Sequence, residues 1–197
     1  MVFRLLPLLV VLCGCGSLHQ TSSETPGPQS DAVEGRAQRA HATNNYALLF
    51  DLLGDEKDVS KLLIIKRERP ELRDLIREIA QRCGQAHKEL GGFGRADRSL
   101  NFKAHGLPVI ESETRAAIAK TKAKQLLTES GKEFELRLLI TQHEALTYAA
   151  HLAASILKTE TNPQRARFLR QLSSDLTALE QRVTSMLLAN YNWPERR

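Results

Sequence analysis

The sequence predicts an all-α protein, an antiparallel four-helix bundle with an additional short helix and a Gly-rich loop. Three observations carry that prediction. Apolar residues recur at three- and four-residue spacing over stretches much longer than a typical strand. No segment has the period-two alternation of a half-buried strand. Pro70 and the pair Asn162-Pro163 stand where a helix start needs a preset φ and a side-chain cap.

The expected domain covers residues 43–191. Thr43 or Asn44 can cap the first helix. Leu49, Leu52, Leu53, Glu56, Val59 and Leu63 then turn one face inward as far as about Glu68, with a kink expected at Gly54. From Pro70, the residues Leu72, Leu75, Ile76, Ile79, Cys83, Ala86 and Leu90 form the stripe of a second helix, which Gly91-Gly92-Phe93-Gly94 is expected to end. Residues 91–111 read as a long loop, with Phe93, Leu100 and Phe102 tucked against the bundle. Loops carry binding surfaces more often than the elements they join, so a ligand or partner surface is expected there. A helix from about Glu113 to Leu127 stops at Ser130-Gly131.

The next helix, Lys132 to Lys158, is apolar almost all round, including Phe134, Leu138, Ala145, Ala149, Leu152 and Ile156, and is expected to be central. Phe168, Leu172, Leu176, Leu179, Val183 and Met186 mark the last stripe, which runs to about Asn190. Residues 192–197 are a tail.

Ahead of the domain, residues 1–16 read MVFRLLPLLVVLCGCG. Arg4 supplies the positive end and Leu5 to Leu12, interrupted by Pro7, a short apolar core, which is the pattern of a signal peptide. A span needs about 20 apolar residues, and this run closes well before that. Leu12-Cys13-Gly14-Cys15 resembles the lipobox of bacterial lipoproteins. The resemblance implies that residues 1–14 are removed, that Cys15 becomes the acylated (palmitate-bearing) N-terminus, and that the chain is held on the cell envelope. Cys13 fits less well, because bulky Leu12 would precede the cut. Each buried CH₂ contributes about 0.8 kcal/mol, so two or three acyl chains anchor stably. Gly16 in place of Asp favours the outer membrane, facing the periplasm. Residues 15–42, rich in Ser, Thr, Pro and Gly, read as a flexible lipid-anchored tether.

Processing would leave Cys83 as the one free thiol, so no intramolecular disulfide can form and stability must come from the core. The formal charge of +5 is spread among acids, as in Lys66-Arg67-Glu68-Arg69 and Arg73-Asp74. That is the pattern of a solvated helix surface, and it argues against a nucleic-acid partner.

Candidate chemistry is sparse. A di-iron carboxylate centre in a bundle needs Glu-x-x-His pairs, because i and i+3 place both ligands on one inward face, and none of the six histidines follows a Glu at that spacing. Glu56, Cys83 and His143 are the strongest mixed set, with carboxylate, thiolate and imidazole suited to zinc or another transition metal. The structural alternative makes Cys83 a small core residue, His143 a hydrogen-bonded edge residue and Glu56 a side chain reaching for water. His143 and His151, two turns apart around Thr147, outline a polar groove or simply the less buried side of their helix. Tyr148 and Tyr191 read as interface or core aromatics. No nucleophile motif is present.

The helical part also resembles a domain-of-unknown-function family of bacterial outer-membrane, ferritin-like four-helix proteins. The resemblance rests on the acidic pair Glu56 and Asp58, Pro70, the run Ala86-His87-Lys88-Glu89-Leu90, Ser130-Gly131 with Phe134, and His143, over residues 44–188. It implies a ferritin-like bundle and no particular reaction. A second-helix histidine position of the family is Cys83 here, and the fourth-helix position is apolar near Ala178 or Leu179. Taken together, the sequence leads us to expect a non-enzymatic envelope lipoprotein, a binding or structural module with no cofactor, no metal and no catalytic residue. Its partners would be the membrane, through the lipid, and an envelope protein or cell-wall component. The alternative is a ferritin-like metal-binding or redox protein.

Overall fold

A computed structural model describes residues 44–100, 102 and 106–190 of the chain. The described residues are helical, with no strand among them. Helix α1 covers 44–56 and is followed by a 3₁₀ segment, Val59–Ile64. Then come α2 (Pro70–Ala96), α3 (Val109–Thr128), α4 (Gly131–Leu157) and α5 (Pro163–Asn190).

The core is a single apolar cluster to which α1, α2, α4 and α5 each contribute a stripe. Helix α4 carries the most buried residues, among them Phe134, Leu138, Leu139, Ala145, Leu146, Ala149 and Ala153, as a helix with so little polar surface must. It runs alongside α5, whose Ser173 hydroxyl donates to the Ala150 carbonyl at 3.0 Å. Helix α2 meets α5 through Glu78 with Arg182, Arg82 with Asp175, and an edge-to-face contact of Phe93 with Phe168 at 5.4 Å. Residue numbers rise along α2 as they fall along α5, so these two helices are antiparallel. On the other side of α2, Phe50 of α1 stacks on His87 at 4.0 Å. Helix α3 lies outside and packs against α4.

Several helix limits follow from local chemistry. Asn162 Oδ1 accepts from the backbone N–H groups of Gln164 and Arg165 at 2.9 and 3.1 Å, the cap expected ahead of Pro163. Gly131 starts α4 with φ +58°, a left-handed conformation that a side chain would strain. Both α4 and α5 keep the limits their sequence patterns predict.

Four expectations need correction. The first helix does not continue to Glu68. It passes Gly54 without interruption, ends at residue 56, and tightens into the 3₁₀ segment, which turns Val59 and Leu62 under the end of the bundle. Pro70 holds Arg69 extended, at φ −65° and ψ 147°, so no helix could have run through that junction. Second, Gly91-Gly92-Phe93-Gly94 does not end α2, which continues to Ala96. A Cβ on Gly94 would collide with the Phe102 ring, which stacks in turn on Phe50 at 4.6 Å. The glycine makes room for an aromatic layer, and that packing outweighs a helix-propensity cost of about 1 kcal/mol. Third, the loop is accordingly shorter than 91–111, although Leu100 is buried and Phe93 and Phe102 pack on the core as expected. Fourth, α3 begins at Val109, directly after Pro108, and not near Glu113.

Candidate functional site

The polar interior of the domain lies where α1, α2 and α4 meet. The helical spacing that buries Leu49, Leu52 and Leu53 also carries Glu56 inward, and its side chain is 1 % exposed. On α2 the stripe running through Ile76, Ile79 and Ala86 includes Cys83, equally buried. On α4, Gln142 stands four residues after Leu138, on an inward face, and is fully buried.

Among the described residues, no partner stands in good hydrogen-bond geometry to either carboxylate oxygen of Glu56 or either amide atom of Gln142. Gln142 is nevertheless the polar group nearest in effect to Glu56. Burial pushes the Glu56 carboxyl up to about 8, Gln142 pulls the other way, and the neighbouring Asp55 adds to the rise. Glu56 is therefore a neutral carboxylic acid at pH 7. The Cys83 thiol is also raised well above its ordinary range, first by burial and then by the field of Glu56, with Arg82 opposing. A protonated, buried thiol is neither a nucleophile nor a ready metal ligand.

His143 does not join Glu56 and Cys83. Its Nδ1 lies 2.7 Å from Glu180 Oε1 on α5 and 3.2 Å from Thr184 Oγ1, on the half-exposed α4–α5 edge. The Thr184 hydroxyl donates to the same Glu180 oxygen at 2.7 Å. Two members of the mixed set thus share the interior, and the third place is taken by Gln142. Among the described residues no three His, Cys, Asp or Glu side chains are grouped to hold a metal ion. His143 is half-exposed and His151 exposed, so these two stand on the less buried side of α4, while the Thr147 hydroxyl oxygen between them is buried. Tyr148 is a half-buried interface aromatic beneath the Arg115 guanidinium. Cys15, the expected lipid-attachment residue, and Tyr191 lie outside the described residues.

A second polar centre closes the end of the bundle where α1 begins. Arg165 reaches Glu160 Oε2 at 2.8 Å and Asp97 Oδ2 at 2.7 Å, and the Tyr46 hydroxyl donates to Glu160. Burial opposes ionisation of Glu160, but hydrogen bonds from Arg165, Tyr46 and the Asn162 N–H overcome it and hold its carboxyl below the usual range. The Tyr46 hydroxyl is raised by burial and by Glu160. These groups bind each other, and the arrangement locks helix ends together. At the opposite end Glu135, also buried, accepts from the Arg69 backbone N–H at 3.1 Å and from its guanidinium at 2.8 Å.

Sequence reasoning missed Gln142, Glu135 and the Arg165 cluster. Gln142 was legible in principle, as an amide at an inward position of an otherwise apolar helix. The Arg165 cluster joins residues 46, 97, 160 and 165, which no local pattern relates. A shallow groove between α2 and α5, lined by Glu78, Arg82, Asp175, Leu179 and Arg182, is occupied by the protein's own ion pairs. No helix among the described residues is long and apolar enough to cross a membrane. Comparison with protein-family models, with curated proteins and with solved structures finds no match.

Proposed function

We propose that this chain is a cell-envelope lipoprotein, held through Cys15 in the outer membrane on its periplasmic side, whose domain is a non-enzymatic binding or structural module. Its helical part is read as a ferritin-like four-helix bundle. That reading is supported by the neighbours α1 with α2, α2 with α5 and α4 with α5, and by α3 standing in the connection from α2 to α4. The observation that carries the functional reading is the contrast between interior and surface. The reactive side chains in the core, Glu56 and Cys83, are neutral and closed off, whereas large apolar residues stand out at both ends of the bundle. Ile64 and Ile65, at the end of the 3₁₀ segment, are 81 % and 60 % exposed, and Val109 and Ile110 stand exposed at the other end. Lys66, which follows the two isoleucines, donates to the Leu127 and Glu129 carbonyls and fixes them at the tip formed by the end of α3. Apolar side chains presented in this way suit contact with another envelope component.

The alternative, a ferritin-like metal-binding or redox protein, would require a third ligand beside Glu56 and Cys83. Mass spectrometry of the membrane fraction tests the anchoring. The expected mature N-terminus is an acylated Cys15, abolished by Cys15→Ser, and a chain retaining Met1 with unmodified Cys15 would overturn it. A photo-crosslinker at position 65 in the native cell tests the binding role. A discrete adduct is expected, and its absence at both positions 65 and 110 would refute that role.

A further inference from the structure

Helix α3 is held by one side only. Of its twenty residues just Ala119 and Leu126 are buried. The charges on its inner side are used within the chain: Glu111 pairs with Arg115 at 2.8 Å, Arg115 lies over Tyr148, and Lys122 pairs with Glu144 of α4. Its outer side is different. Val109, Glu113, Ala116, Lys120, Lys124 and Leu127 recur at three- and four-residue intervals, so they share one face, and all six are exposed. Val109 and its neighbour Ile110 are 74 % and 71 % exposed, and Leu127 46 %. Among the described residues Glu113, Lys120 and Lys124 form no ion pair, in contrast to the charges on the inner side.

The order of these residues along the helix matters more than their exposure. The face begins with apolar Val109 and Ile110, then an acid, then a small-residue centre, then two bases, and ends with apolar Leu127. Turned end for end, this pattern is its own complement. We propose that the outer face of α3 is the contact between two copies of this chain, paired antiparallel about a two-fold axis near the centre of the helix. In that alignment Val109 and Ile110 of each copy meet Leu127 of the other, and Glu113 meets Lys124. Ala116 and Ala117 allow the helix backbones to approach at the middle, where the stem of Lys120 lies across them. A two-fold contact makes each pairing twice, so a self-complementary face counts double. The parallel alignment is excluded by the same residues, because it sets Lys120 against Lys120 and Lys124 against Lys124.

A single pair of helices of this length buries an area at the small end of specific interfaces, so dissociation constants on the order of micromolar are expected in solution. The test is sedimentation equilibrium of the full chain in density-matched mild detergent, from low micromolar to several hundred micromolar, for four proteins. The wild type should show a reversible monomer–dimer equilibrium. Glu113→Lys and Lys124→Glu each replace two attractions with two repulsions and should weaken the dimer roughly tenfold or more. The double variant Glu113→Lys, Lys124→Glu should restore it. All the substituted residues are exposed, so circular dichroism should report unchanged helix content in each protein. A wild type that stays monomeric overturns the proposal. So does a dimer indifferent to the single substitutions, or one that the double variant fails to restore.

Discussion

Replacing Glu56 with Gln should stabilise the protein, and do so more at pH 8 than at pH 5. In the folded state the Glu56 carboxyl titrates at about 8, against an ordinary value of 4.5 in the unfolded chain. Below 4.5 both states hold the proton and the residue makes no pH-dependent contribution. As pH rises from 4.5 to 8 the unfolded chain ionises while the folded one does not. Stability then falls by about 1.4 kcal/mol per pH unit, and the loss levels off above about 8. Between pH 5 and pH 8 Glu56 therefore removes about 4 kcal/mol. Gln has nearly the same shape, carries no titrating group and can exchange hydrogen bonds with Gln142. The Glu56→Gln variant should accordingly match the wild type near pH 5 and exceed it by about 4 kcal/mol at pH 8. For a domain of this size the midpoint should rise on the order of 10 °C. Thermal and urea unfolding of both proteins, followed by helical circular dichroism at each pH unit from 5 to 9, reads this difference directly. Equal pH slopes for the two proteins, or a Glu56→Gln variant less stable than the wild type at pH 8, would refute the view that Glu56 is buried and neutral.

Two further outcomes concern the packing. Leu176 is fully buried at the middle of the α5 stripe, and Leu176→Asp should cost several kcal/mol because it places an unpaired carboxylate in the core; an unchanged urea midpoint would count against the close packing of α5 on α4. Arg165→Ala strands the buried Glu160 carboxylate and releases Asp97 and Tyr46, so a loss of about 3 kcal/mol is expected. Arg165→Lys should recover only part of it, since the ammonium cannot reproduce the forked contacts, and full recovery in chemical denaturation would show that charge alone matters there.

Local sequence dictates the helical class, the starts at Pro70 and Pro163, the break at Ser130-Gly131, the central place of the helix beginning there and nearly all of the α5 stripe. These depend on interactions within a few residues: helical spacing, a cap and a preset φ. Packing settles the rest. Whether Gly91 to Gly94 ends a helix depended on Phe50 and Phe102 arriving from elsewhere to pack over it. Where α1 stops depended on the chain having to turn beneath the bundle before Pro70. The candidate site divides in the same way. Inward placement of Glu56 and Cys83 was legible from period alone, because a residue's face on a helix is fixed by its neighbours in sequence. Which third residue would face them was not. His143 and Gln142 are adjacent in the chain, and a rotation of about 100° about the α4 axis separates the neighbour that meets α5 from the one that meets the core. That angle is set by how α4 beds against α1, α2 and α5 together, a property of the packed molecule that no single stretch of its sequence contains.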